Sequence, residues 1–207
     1  MRALAALLLI ASACPAAAAE LIVELRTPAG QPVPDAVVSL YPGGRPAPFG
    51  PMRGPYRIAQ RNTQFQPFVL IVPVGAQIAF PNYDSFRHHV YSFSPAKRFE
   101  LKLYAREQDR TVRFDKAGVV PLGCNIHDQM TAFVKVSDTG LAARSDAAGR
   151  IVFPSVPAGP LIARIWHPYL RLPGNQAELR WTLPARGSQK QALTLKLRPP
   201  PRPGATY

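Results

Sequence analysis

An all-β fold of short strands and frequent turns is the class the sequence predicts, and three observations carry that prediction. The 207 residues include 24 prolines and 14 glycines, and the prolines are spread along the whole chain. Proline inside a helix costs about 3 kcal/mol, and few windows, such as residues 96–117, run long without proline or glycine. Between these breakers lie short runs rich in β-branched and aromatic residues, bounded by Gly, Pro and Asp, which is the strand-and-turn signal. With 47% hydrophobic residues and a mean hydropathy of -0.05, the chain can bury a core. Its length suits one large or two small domains.

Residues 1–19 read as an export signal. Arg2 supplies the positive end, residues 3–13 the apolar segment, and Ala17-Ala18-Ala19 a small-residue cleavage site before Glu20. Acylation at Cys14 is the alternative, but residues 11–13 lack the large aliphatic residue that lipoprotein signals favour. The apolar run is too short to span a bilayer and no later run reaches about 18 residues. The expected product is an exported, periplasmic protein without a transmembrane helix. Residues 21–25 and 36–40 then read as strands joined by a turn at residues 30–35.

Cleavage changes the cysteine arithmetic. Cys14 leaves with the signal, so Cys124 is the only thiol in an oxidising compartment, which points to an intermolecular disulfide, a reactive thiol or a metal ligand. Its neighbours favour the last. Cys124, His127 and Met130 bring a thiolate, an imidazole and a thioether within seven residues, and His88 and His89 offer one more imidazole upstream. A trigonal thiolate plus two imidazoles with a weak axial thioether is the blue-copper ligand set. Soft sulfur suits Cu(I) while imidazole serves both oxidation states. The reading is one mononuclear copper ion held by Cys124, His127 and Met130, with either His88 or His89 as the fourth ligand. Zinc is chemically allowed by Cys124 and two histidines, but the thioether has no purpose there. His167 reads as structural.

Residues 66–75, then Ile78 to Asn82, then His88, resemble the first half of a cupredoxin, which runs strand, glycine turn, strand ending in Asn, then the upstream His ligand. Residues 118–124 and 131–136 resemble the strands flanking that family's ligand loop. The Cys-x2-His-x2-Met spacing is similar to the short loop of amicyanin-type cupredoxins, and residues 88–101 resemble exported proteins of the methylamine utilization type. The resemblance covers about two fifths of the chain, and implies a Greek-key β-sandwich over residues 56–137. Two departures stand out. The family follows its upstream ligand with an Asn that ties the ligand loops together, and here His89 occupies that place, so the resemblance implies His88 as the ligand. Asp128-Gln129 stands where a more apolar pair often shields the exposed His, so the polar loop is expected to stabilise Cu(II) and lower the potential. Asn82 and Asp128, like His89, are expected to lie around the ligands or to substitute for one.

The Gly-x-Pro-Val-x-x-Ala-x-Val pattern that begins at Gly30 resembles the opening of carboxypeptidase-regulatory-like, transthyretin-type sandwiches. The remaining pieces of that module come far downstream, as Ser145-Asp146-x-x-Gly149 and Pro157-x-Gly159, followed by strand-like residues 161–166 and 192–197. The expected layout is therefore nested: residues 20–45 and 138–198 form this second sandwich, the cupredoxin is inserted in one of its loops, and residues 199–207 form a proline-rich tail. Insertion at a loop tip is tolerated when the inserted ends lie close together.

A net charge of +13 is scattered, and no basic block alternates with stacking aromatics, so no nucleic-acid partner is expected. The charge suits an acidic redox or copper-transfer protein. No Ser-His-Asp set, paired carboxylates or phosphate loop supports catalysis, so the chain is read as no enzyme. Three classes follow: an electron carrier, a copper delivery, storage or assembly protein without redox turnover, and an enzyme or an interaction protein whose site has lost its metal.

Overall fold

In the computed structural model, residues 18–51, 54–106, 108 and 110–200 are described; the first 17 of the 19 residues expected to form the export signal, and all but the first two residues of the expected tail, lie outside them. The strands are β1 (Ala18–Arg26), β2 (Val37–Pro42), β3 (Tyr56–Arg57), β4 (Ala59–Arg61), β5 (Gln64–Gln66), β6 (Val69–Pro73), β7 (Ala76–Ala79), β8 (His88–Ser94) and β9 (Lys97–Tyr104). They continue as β10 (Thr111–Phe114), β11 (Gly118–Gly123), β12 (Thr131–Ser137), β13 (Ala142–Arg144), β14 (Arg150–Pro157), β15 (Gly159–Trp166), β16 (Gln176–Leu183) and β17 (Ser188–Thr194). One 3-10 turn, Pro173–Asn175, is the only helical element among the described residues, and no described helix is long and apolar enough to cross a membrane. The all-β expectation holds.

Two sheets, β14-β1-β17 and β13-β2-β15-β16, enclose one core. Leu21, Val23 and Leu25 alternate inward along β1, as a half-buried strand requires, and meet Leu40, Phe153, Leu161 and Ile165. The strand at Ile22 thus pairs with β14 antiparallel and with β17 in parallel, and, among the described residues, with no strand between β2 and β13. β1 begins at Ala18, so the expected cleavage before Glu20 would remove the pairings of Ala18 and Ala19 with Pro157 and Val156. The turns that sequence separates are stitched together here: Ser145 Oγ donates to the Val33 carbonyl at 2.7 Å and accepts the Ala36 amide at 3.0 Å.

A second pair of sheets, β10-β7-β3 and β6-β12-β11-β8-β9, encloses another core that includes Ile78, Phe80, Phe114, Val90, Val120, Val134, Cys124 and Met130. The chain leaves for this core after β2 and returns before β13, and the two crossings run side by side. Thr139 Oγ1 donates to the Leu40 carbonyl at 2.9 Å and accepts the Ala47 amide at 3.0 Å, while the Gly140 amide donates to Ala47 O. A Cβ at Gly140 would sit 2.0 Å from the Pro48 carbonyl oxygen, so only glycine permits this approach.

The cores meet at an apolar seam. Val37 and Trp166 from one side pack on Val69, Phe68, Ile71, Val119 and Phe133 from the other, with Phe133 edge-on to Trp166 at 5.7 Å. At its polar end Tyr41 donates to Asp138 Oδ1 at 2.7 Å, and the Arg164 guanidinium lies 4.5 Å over the Tyr41 ring. Burial, reinforced by the Asp138 bond, pushes the Tyr41 phenol up to about 12. Between the ordinary phenol value of about 10 and this raised value, the unfolded chain releases the proton and the folded chain keeps it. The resulting stability is complete below about pH 10 and is lost as pH rises towards 12, on the order of 2 kcal/mol. Denaturant midpoints should therefore fall between about pH 9 and pH 11 by more in the parent than in Tyr41→Phe; equal falls would refute the assignment.

Candidate metal centre

β7 delivers the chain to a loop that Asn82 closes. Fully buried, Asn82 accepts the Asp84 amide on Oδ1 at 2.9 Å and donates from Nδ2 to the carbonyls of Phe86 and Tyr104, at 2.8 and 3.2 Å. This local pairing is the turn chemistry for which asparagine is suited. The loop sets the start of β8, where side chains alternate: His88 and Val90 face the core that holds Cys124, while His89, itself buried, and half-buried Tyr91 lie on the opposite face. Opposite His88 the ladder is irregular, and β9 carries an extra residue between Leu101 and Tyr104; bulges of this kind re-aim side chains beside sites.

From the other side β11 ends at Gly123, whose place for a Cβ lies 2.8 Å from the Tyr91 ring. A larger residue would displace Tyr91 or the strand that carries Cys124. After Cys124 the loop turns back through a hydrogen bond from the Met130 amide to His127 O at 2.9 Å and enters β12.

These two loops bring three donors together. Cys124 Sγ lies 4.0 Å from His88 Nδ1 and 3.9 Å from His127 Nδ1, and the three ligand atoms lie within 4.8 Å of one another. Bonds of about 2.3 Å to sulfur and 2.0–2.1 Å to nitrogen, at trigonal angles, would separate S from N by about 3.8 Å, so the spacing fits one ion. Cys124 and Met130 are buried in the same apolar cluster, His88 is fully buried and His127 is half-buried. His88, Cys124, His127 and Met130 thus cluster like a type-1 copper site.

The remaining predicted residues fall elsewhere. His89 is turned away from the three donors and pairs through Nε2 with Glu100 Oε1 at 2.8 Å; its buried Nδ1 has no hydrogen-bond partner among the described residues. Asp128 is exposed. Asn82 shapes the loop and stands outside the donor trio.

Two residues escaped the sequence reading. Phe86, 45% exposed, lays its ring against both imidazoles, 4.9 Å from His88 and 5.6 Å from His127. Asp84 receives the outer nitrogen of His88, with Nε2 to Oδ2 at 2.7 Å. It also accepts the amides of Asn62 and Thr63, at 2.7 and 3.0 Å. Burial works to raise the Asp84 carboxyl, but the His88 bond and those two amides outweigh it and hold the group below its usual value. Nothing in the spacing of Asp84 and His88 along an irregular loop signals this contact.

No protein-family model matches the chain, and a search of curated proteins finds no match. Among solved structures, part of the chain is similar to a mutant of amicyanin in its reduced Cu(I) form at pH 4 (22% identity, 41% of this chain and 84% of that one, TM-score 0.37). It is also similar to a purple cupredoxin from Nitrosopumilus maritimus (22% identity, 40% and 100%, TM-score 0.37). A third is the copper-containing nitrite reductase of Thermus scotoductus SA-01 (23% identity, 45% of this chain but 25% of that one, TM-score 0.40). These likenesses concern one portion of the chain; the chemistry of the centre rests on its own geometry.

Proposed function

We propose that the protein carries single electrons through one mononuclear copper ion that His88, Cys124 and His127 would hold, with the Met130 thioether as a weaker fourth donor. The observation that carries this reading is the convergence of one sulfur and two Nδ1 atoms within 4.8 Å beside a buried thioether. Copper, when bound, would supply a one-electron couple whose two states both tolerate this mixed soft and imidazole set. The chain's part is to keep the donors in place: three arrive on one short loop, the fourth is set by the Asn82 loop, and burial excludes water from all but the edge of His127. That half-buried edge, beside exposed Phe86 and Ile126, is the natural exit for an electron. We read the protein as an exported, periplasmic one, with the copper-binding portion inserted in a carboxypeptidase-regulatory-like sandwich and an acidic redox partner met through its positive charge.

Titrating Cu(II) into the purified protein tests this. An intense thiolate-to-copper band and a reversible one-electron wave are expected. His88→Ala should bleach the protein, whereas His89→Ala should stay blue. Tight Cu(I) binding without a stable blue Cu(II) form would replace electron transfer with copper delivery. Equal preference for zinc would overturn both.

A further inference from the structure

The Asp84 carboxylate touches a metal-facing histidine from behind, and its three hydrogen bonds leave it one chemical role. Oδ1 accepts the Asn62 amide, and Oδ2 accepts both the Thr63 amide and His88 Nε2. An ionised carboxylate only accepts, so Nε2 must carry the ring proton. In the neutral ring, Nδ1, which faces Cys124 Sγ at 4.0 Å, is then the nitrogen with the free lone pair. The tautomer that binds a metal is therefore imposed from the far side of the ring.

The clamp reaches the two-residue turn that joins β4 to β5. Asn62 and Thr63 sit at φ 54 and 57, between the paired strands β4 and β5. A β-branched residue such as Thr63 is a conformational outlier in this left-handed region. Such strain persists where surrounding contacts over-determine it, and here the β4–β5 hairpin demands it while Asp84 accepts both turn amides. The turn in exchange fixes the carboxylate, which is only 8% exposed, against His88.

We propose that Asp84 is the positioning residue of the centre: it holds His88 as the Nε2–H tautomer with Nδ1 towards Cys124, and its charge favours the oxidised ion. This rests on the copper reading above. The nearly isosteric Asp84→Asn variant is a demanding test, because in either orientation its amide group sets a donor against a donor, at Asn62 or at Thr63 and His88.

The experiment measures Cu(II) affinity and reversible potential for the parent, Asp84→Asn, Asp84→Glu and Thr63→Gly, together with the His88 tautomer by nitrogen NMR of the metal-free proteins. Asp84→Asn should lose 10–100-fold in Cu(II) affinity. If the loss is confined to the oxidised form, the potential rises by about 60–120 mV. The Nε2–H signature of His88 should weaken in the same variant, and Asp84→Glu should recover part of each change. Thr63→Gly relaxes the turn but leaves the carboxylate on His88, so it should not move the potential. A blue Asp84→Asn protein with the parent's affinity and potential, or a parent whose His88 carries its proton on Nδ1, overturns the role of Asp84 alone. A parent that takes up no copper overturns the electron-carrier reading, and with it this one.

Discussion

Cys124→Ser is expected to abolish the intense visible band of the copper-loaded protein completely, while the fold persists. The band requires a thiolate bound to the ion, and a serine hydroxyl neither ionises in this pH range nor offers a soft donor. Cys124 is 3% exposed and surrounded by the apolar side chains of its core. Burying a hydroxyl there costs about 1–3 kcal/mol, small enough for circular dichroism to report an intact β-sheet protein. His127, Met130 and His88 remain in the variant, so any band it retained would place the chromophore elsewhere and remove Cys124 from the centre.

Trp166→Ala should cost about 3–5 kcal/mol of stability, the usual range for truncating a large aromatic in a packed core. Trp166 is 2% exposed and forms the centre of the seam, where its ring meets Phe133. Phe133 lies on β12, whose first residue follows Met130 directly. The variant should therefore unfold at lower denaturant, and its two cores should separate into two transitions. A loss below about 1 kcal/mol, with one transition retained, would show that the seam contributes little to the coupling of the cores.

Much of the centre was legible because its chemistry is local. Cys124, His127 and Met130 share one loop, so their residue types and spacing announce a soft metal site before any fold is known. The β class was equally plain, since prolines and short β-branched runs leave no room for long helices. Other features were hidden for stated reasons. β16 was not anticipated, because its alternation of exposed and half-buried residues carries few strongly apolar positions. The short β10 was not anticipated either; it lies within the longest stretch that lacks proline and glycine, where punctuation gives no boundary. The cluster of strand-like residues at 192–197 proved to start earlier, at Ser188, because its register is set by pairing with β1.

The pair His88-His89 marks the boundary between the two kinds of information. Adjacent residues of one type are equivalent as ligands in a sequence. In a pleated strand they point to opposite faces, and only the position of β8 in its sheet sends His88 to Cys124 and His89 to Glu100. The contact of Asp84 with His88 is of the same kind, since it depends on how the Asn82 loop meets the Asn62–Thr63 turn. By itself, then, the sequence determined the strand-rich class and the thiolate–imidazole–thioether loop, because propensity and ligand chemistry are properties of neighbouring residues. The tertiary structure alone decided which histidine completes the trio, which carboxylate orients it and how the two cores share a seam. Each of these is a distance between segments that local chemistry does not encode.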